Sequence, residues 1–157
     1  MNRRRKLTNN TNEWDCGVQA IENVKRIART KKKIVPHKAG IIKDEGVVEP
    51  IKYARALKSI PKVKKVKVER TPKVDQIVEW LEKDKPSGKT QNVAIVHSKI
   101  EDEEDSHYWL AFKVNKGRKS VMAANFDDSN PVKRVSLHRL KKKDIKIKRV
   151  YKLKIEK

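Results

Sequence analysis

The 157-residue chain has a single cysteine, Cys16, and only four histidines. One cysteine cannot form an internal disulfide, and the histidines do not stand near it at the spacing of zinc ligands. We therefore expect a reducing compartment, no metal site and no organic cofactor. A chain of this length is typical of one domain, and we place a flexible basic arm over residues 1–12 and a single domain over residues 13–157.

Long apolar runs are also missing. No stretch approaches the roughly 20 apolar residues of a membrane span. The chain starts with several basic residues, but no apolar segment of signal-peptide length follows them. We therefore expect a protein without a membrane span that is not secreted through a signal peptide, and that lies in the cytoplasm or is packaged in a virion.

Acidic residues are few relative to basic ones. The chain has 41 lysines and arginines against 20 aspartates and glutamates, which gives a net charge of +21. Such a charge favours binding to nucleic acid or another polyanion, although well-solvated lysine faces explain the same composition. Aromatic residues make up only 5% of the chain, so recognition of bases is not indicated. The candidate polyanion-binding residues are Arg3, Arg4, Arg5, Arg139, Lys141, Lys142 and Lys143.

The apolar residues that are present fall into periodic runs. Val18, Ile21 and Val24 recur at helical spacing and predict a helix over residues 15–29. Two further helices are predicted over residues 50–59 and 73–84, the latter starting with Thr71-Pro72 as cap and first proline. Strands are predicted over residues 63–68, 92–97, 107–114 and 119–124. A further strand is predicted from residue 145 onward, where odd-numbered residues, apolar except for Arg149, alternate with mostly lysines, which indicates a half-buried strand with a solvated basic face. This order predicts an α+β fold with helices packed on an antiparallel sheet.

Cys16 stands at the start of the first predicted helix. The first turn of a helix presents unpaired N–H groups and a partial positive charge, which favour a thiolate over a thiol. Gly17 adds no side chain beside the sulfur, so a substrate carbonyl could approach closely. Cys16 is therefore a candidate nucleophile, and the alternative is a small, inert, buried apolar residue.

His107 stands at the start of a predicted strand and is the candidate general base. The other histidines fit less well, because His37 lies in a loop, His97 at a strand end and His138 in a basic segment. A third residue normally orients the imidazole through its second nitrogen. We place Asn125 first for this role, since it ends the strand expected to pair with the His107 strand, and Asp127 second.

These motifs resemble a known family. Asp15-Cys16-Gly17-Val18 at a helix start, followed by the strand His107-Tyr108-Trp109-Leu110-Ala111-Phe112-Lys113-Val114 and a strand ending at Asn125, looks like a papain-like cysteine peptidase. The chain is most similar to the double-glycine leader peptidases of bacteriocin exporters and their free-standing relatives. The resemblance spans residues 10–140 and implies the chain order Cys, His, then Asp or Asn, with a helix carrying the cysteine and a sheet carrying the other two.

The resemblance implies a thiol hydrolase that cleaves a peptide or isopeptide bond in a peptide or protein substrate. It also implies an oxyanion donor six positions before the cysteine, where the family usually has Gln and this chain has Asn10. The third residue of the family is often Asp followed by Pro, whereas here Asn125 is followed by Phe126. The Asp-Cys-Gly-Val string is also similar to the adenovirus-type and ubiquitin-like-protein peptidases, but those place the cysteine after the histidine.

A second hypothesis is a protein with the same fold that has no catalytic activity. The chain would then be a peptidase-like scaffold that does not cleave, acting as a basic structural or nucleic-acid-associated protein, as in a virion. The two hypotheses differ in whether His107 activates Cys16. We expect the enzyme.

Overall fold

The computed structural model describes residues 16–29, 50–83, 88–102, 106–127 and 131–156. Its helices are α1 (Cys16–Ala28), α2 (Pro50–Lys58), α3 (Val74–Glu82) and α4 (Leu137–Leu140). Its strands are β1 (Val63–Arg70), β2 (Thr90–Ile100), β3 (His107–Asn115), β4 (Ser120–Ala124), β5 (Val132–Ser136) and β6 (Ile145–Glu156). The predicted arm over residues 1–12 lies outside these ranges, and the domain boundary stays a prediction. Within the described ranges, every helix is too short or too polar to span a membrane.

The strands form one six-stranded sheet in the order β1-β6-β2-β3-β4-β5, and every neighbouring pair is antiparallel. The last strand of the chain, β6, is inserted between β1 and β2. Helices α1 and α2 pack on one face, and α3 and α4 pack on the other. The α+β prediction is confirmed, and the centre of the sheet is covered on both sides.

The alternation of side chains along β3 assigns its residues to the two faces. Tyr108 and Leu110 join the core beneath α1 and α2, whereas Trp109 and Ala111 join the core beneath α3. Each of the four residues is at most 5% exposed. The alternation predicted from sequence is confirmed, because a strand between two apolar layers must bury both of its faces.

The apolar run in β2 also forms the predicted buried strand, but the strand continues further than expected. Val93, Ala94, Ile95 and Val96 have no exposed surface. β2 pairs with β3 as far as Ser98 and with β6 as far as Ile100. The sequence predicted His97 at the end of this strand, whereas the structure places it inside the strand.

Helix α3 begins later than predicted. Its N-cap is Lys73, whose backbone N–H donates to the side-chain oxygen of Gln76 over 2.8 Å. Thr71 has a φ of 43°, in the left-handed region, and its N–H donates to the carbonyl of Lys148. The prediction of Thr71 as the cap is wrong because its backbone is bonded to β6 and turned away from the helix.

Strand β6 departs from strict alternation. A register shift between Arg149 and Ile147 puts Ile147 against the α3 core, whereas Tyr151 and the apolar residues after it pack against the α1 and α2 core. The opposite face is not simply a solvated basic face, since Val150 is fully buried and the side chain of Lys152 is only 14% exposed. The simple alternation predicted from sequence holds only over the second half of the strand.

Candidate functional site

Helix α1 begins at Cys16 and packs against β3, which begins at His107. Ala20 and Ile21 of the helix belong to the same buried apolar cluster as Tyr108 of the strand. The elements that carry the two predicted catalytic residues are therefore direct neighbours. The side chain of Cys16 and the whole of Asn10 lie outside the described part of the structure.

The ring of His107 is held by the main chain beyond β4. Its Nε2 atom is hydrogen-bonded to the backbone carbonyl oxygen of Asn125. A carbonyl oxygen can only accept, so Nε2 carries the hydrogen and donates it. In the neutral imidazole the other nitrogen, Nδ1, is then the unprotonated one. The structure thus fixes Nδ1 as the atom of His107 that can take up a proton.

Asn125 reaches His107 because of its backbone conformation. It has a φ of 59°, which places it in the left-handed region that Asn tolerates better than most residues. Its N–H donates to the carbonyl of Pro131 over 3.0 Å, and the residue is 1% exposed. The contact with His107 therefore comes from the carbonyl of Asn125, and orientation of His107 by its side chain stays a prediction.

Asp127, the second candidate for the third residue, lies in the same bend after β4. Its carboxylate oxygen Oδ2 accepts a hydrogen bond from Nζ of Lys133 over 2.5 Å. Both side chains are more than a third exposed, so the attraction between them is weakened by water. The acid is thus paired with a cation of β5.

His97 contacts the residues on both sides of His107. Its Nε2 atom is 2.6 Å from Oγ of Ser106, and its ring stacks on Tyr108 with the centroids 4.2 Å apart and the planes at 8°. Sequence reasoning had set His97 aside. Its pairing with Tyr108 follows from the register between β2 and β3, which the sequence pattern alone does not give.

Burial decides the protonation state of His97. Removal from water lowers its pKa to about 4, and the positive charges of Lys148 and Arg149 and the nearby His107 lower it further. The ring is therefore neutral near pH 7. This makes His97 a neutral contact beside His107.

Tyr53 of α2 was not predicted as a site residue. Its hydroxyl donates to the backbone carbonyl of Gly17 over 2.7 Å. Its ring meets Tyr108 edge to face at 5.5 Å and Tyr151 at 4.9 Å. The available signal was the spacing of Tyr53, Ala56 and Leu57, which places all three on the buried face of α2.

The residues predicted to bind polyanions lie partly in a groove of about 400 Å³ between the start of α3 and the turn before β6. Its lining consists of Pro72, Lys73, Val74, Asp75, Leu140, Lys141, Lys142, Lys143, Ile145 and Ile147. Lys141 pairs with Asp75 over 2.9 Å, and Arg139 pairs with Asp144 over 3.3 Å. Lys142 and Lys143 are exposed. Arg3, Arg4 and Arg5 lie outside the described residues.

In the ranges that the structure describes, no three His, Cys, Asp or Glu residues are grouped so that they could hold a metal ion. The described site is made of side chains and backbone groups. It consists of a histidine with a fixed tautomer on a strand, against which packs a helix that begins at a cysteine.

No protein-family model matches the chain, and no curated protein matches its sequence. Solved structures do match. The peptidase domain of Streptococcus ComA, a bifunctional ABC transporter involved in quorum sensing, is 12% identical with a TM-score of 0.66, over 97% of this chain and 98% of that one. The peptidase domain of Streptococcus mutans ComA is 13% identical with a TM-score of 0.52, over 96% and 98%.

A third similar structure is a double glycine motif protease from an AMS/PCAT transporter in complex with the leader peptide. It is 11% identical with a TM-score of 0.58, over 96% of this chain and 91% of that one. At these identities the likeness shows the fold. The predicted resemblance to papain-like peptidases of the double-glycine type is confirmed at that level.

Proposed function

Starting from the fold shared with these peptidase domains, we propose that the protein is a cysteine peptidase with Cys16 as nucleophile and His107 as general base. The observation that supports it best is the hydrogen bond from Nε2 of His107 to the carbonyl of Asn125. It leaves Nδ1 as the basic nitrogen, on the strand against which the Cys16 helix packs. A resting Cys–His pair needs a base of this kind.

The reaction begins when Nδ1 of His107 takes the thiol proton of Cys16. The thiolate attacks the carbonyl carbon of the scissile amide and forms a tetrahedral intermediate. The C–N bond then breaks, His107 gives its proton to the leaving amine, and an acyl-thioester remains on Cys16. Water, deprotonated by His107, attacks this thioester, releases the carboxylate product and restores the thiol.

The remaining residues of the site support these steps. The partial positive charge of the first turn of α1 stabilises the thiolate. Asn10 serves as the oxyanion donor through its side-chain amide, together with N–H groups of that first turn. Asn125 orients the imidazole, with Asp127 as the alternative third residue.

The substrate that we propose is a peptide or isopeptide bond in an extended segment. A peptide substrate is supported by one of the similar structures, in which the AMS/PCAT protease is in complex with the leader peptide. The basic surface of this chain, with its net charge of +21, would favour segments with flanking acidic residues.

The first test is the rate of Cys16 alkylation by iodoacetamide between about pH 5 and pH 8, followed by mass spectrometry. The wild-type protein should react at mildly acidic pH, because His107 holds the sulfur as a thiolate. His107→Ala should slow that reaction at least about tenfold. His138→Ala removes an exposed histidine of α4 and is the matched control, with an unchanged profile.

Identical pH profiles of alkylation for the wild type and His107→Ala would refute the proposed peptidase function. Given an activated thiol, a fluorogenic peptide with a double-glycine site should be cleaved by the wild type and by His138→Ala. Cys16→Ala should remove the cleavage completely, because no other cysteine is present.

A second candidate function is polyanion binding on a scaffold that does not cleave. It is favoured by the groove beside α3, whose lining includes the exposed Lys73, Lys142 and Lys143. Because Lys141 and Arg139 are already paired with acids, Lys142 and Lys143 would supply most of the attraction.

This candidate is tested by fluorescence anisotropy with a labelled single-stranded oligonucleotide over a range of salt concentrations. Exchanging Lys142 and Lys143 for Glu should weaken binding more than about tenfold and reduce the salt dependence. Exchanging the exposed Lys113 and Arg118 for Glu changes the net charge equally and is the control. Equal losses in both variants would mean attraction by overall charge and no groove site.

A further inference from the structure

The three tyrosines of the chain, Tyr53, Tyr108 and Tyr151, lie in one buried cluster. None of them is more than 5% exposed. They come from three different elements, α2, β3 and β6, so their contact is a product of the tertiary fold. Tyr53 is the central member, since its ring meets both of the others edge to face.

Two of the contacts of Tyr53 involve sequence neighbours of the proposed catalytic residues. Its hydroxyl donates to the carbonyl of Gly17, the residue after Cys16. Its ring contacts that of Tyr108, the residue after His107. One buried side chain therefore bridges the first turn of the nucleophile helix and the start of the strand that carries the base.

We propose that Tyr53 is a positioning residue that fixes the first turn of α1 against β3, and thereby the placement of Cys16 relative to His107. This inference rests on the proposed peptidase function. A tyrosine suits the task because its ring is rigid and is held here between two other rings. Its hydroxyl then stands at a fixed point from which it bonds the Gly17 carbonyl at 2.7 Å.

A positioning role and a purely structural role of Tyr53 predict different effects on the ionisation of the Cys16 thiol. A core tyrosine that only fills space would affect stability when its hydroxyl is removed, and leave the ionisation of Cys16 unchanged. A positioning tyrosine would also change the chemistry, because displacement of a reacting group by about 1 Å can cost about a hundredfold in rate.

The test compares Tyr53→Phe with Tyr151→Phe. Tyr53→Phe keeps the ring and removes the hydroxyl that donates to the Gly17 carbonyl. Tyr151→Phe keeps the third ring of the cluster and removes a hydroxyl whose neighbours are Tyr108 and Arg149, so it tests the loss of a hydroxyl from this cluster with the bond to Gly17 intact, and is the matched control. Three quantities are measured: the pH profile of Cys16 alkylation, kcat and KM with the double-glycine peptide, and hydrogen exchange of the first-turn amides of α1.

Tyr53→Phe should move the alkylation profile toward that of an ordinary thiol, lower kcat at least about tenfold with little change in KM, and speed exchange in the first turn of α1. Tyr151→Phe should leave all three close to wild type. A wild-type alkylation profile and wild-type exchange in Tyr53→Phe would overturn the proposal.

Failure of the peptidase function gives a different result. In that case the alkylation profile of the wild type would already match that of His107→Ala. Faster exchange in Tyr53→Phe would still support the positioning of α1 by Tyr53, because that measurement does not depend on catalysis. Unchanged exchange would overturn the positioning as well.

Discussion

The imidazole of His107 donates a hydrogen bond from Nε2 to the backbone carbonyl of Asn125, which lies just after the neighbouring strand β4. A backbone carbonyl can accept this hydrogen bond whatever side chain the residue carries, provided that the backbone keeps its conformation. Here that conformation is left-handed, with a φ of 59°. The residue type at position 125 can therefore affect the orientation of His107 in two ways, through the backbone φ that it permits and through its side-chain amide.

Asn125→Gly should preserve the alkylation profile of Cys16 to within about twofold, because Gly adopts a positive φ without strain and keeps the carbonyl. Asn125→Ala should lose about 1 kcal/mol of unfolding free energy, because Ala lacks the short polar side chain that lets Asn hydrogen-bond locally in the left-handed region. The measurements are iodoacetamide kinetics and urea unfolding on both variants.

Asn125→Asp serves as a third, isosteric variant in the same comparison. If the side-chain amide were the group that orients His107, Gly and Ala would slow alkylation to the same extent, whatever their stabilities. That result would mean that the side chain of Asn125, and not its backbone carbonyl, orients His107, as in a Cys-His-Asn triad.

His97 should make the protein less stable in mild acid. Burial lowers its pKa in the fold to about 4, whereas the unfolded chain has a value near 6.5. Between these values the unfolded state binds more protons, so stability falls as the pH drops from about 6.5 to about 4 and is unaffected by this group above that range. The upper limit of this loss of unfolding free energy is about 3 kcal/mol. We expect a smaller loss because the ring is only half-buried and water screens its charge.

Urea unfolding at about pH 7 and about pH 4.5 measures this effect. His97→Gln should reduce the difference in stability between the two pH values, because Gln does not titrate. His138→Gln changes an exposed histidine and is the control, with a difference like that of the wild type. A pH dependence in His97→Gln as steep as in the wild type would assign the acid sensitivity to other groups.

Lys65→Glu should stabilise the fold. Lys65 of the edge strand β1 stands directly opposite Lys154 of β6, and Lys67 stands opposite Lys152. Like charges in such pairs are unfavourable, and a Glu–Lys pair in the same place contributes about 0.2–1 kcal/mol. We expect an increase in unfolding free energy of that size at low ionic strength.

The control for this change is Lys113→Glu, an exposed strand lysine whose partner on β4 is Met122. It should change the stability much less, and high salt should erase most of the gain in Lys65→Glu. A gain that is equal in both variants, or that survives high salt, would point to the lower overall charge and not to the cross-strand pair.

The elements that the sequence predicted well are those with an unbroken apolar period. Helix α1 was placed to within a residue at each end, and the two faces of β3 were assigned correctly. The elements that it missed are β5 and α4. Val132 and Val135 are three residues apart with two basic residues between them, which is not a strand pattern, and β5 forms because β4 offers it a free edge to pair with.

The sequence by itself determined the kind of fold and the candidate reacting groups. A lone cysteine at a helix start and a histidine at a strand start are properties of local pattern, and local pattern follows from the 3.6-residue and two-residue periods of the backbone.

Only the tertiary structure decided how the histidine is held. The Asn125 carbonyl reaches His107 across a strand pair, His97 contacts both neighbours of His107, and Tyr53 joins the nucleophile helix to that strand. These contacts connect residues from 9 to 36 positions apart in the chain. Strand register and helix packing set such contacts, and they depend on the whole core rather than on any one segment.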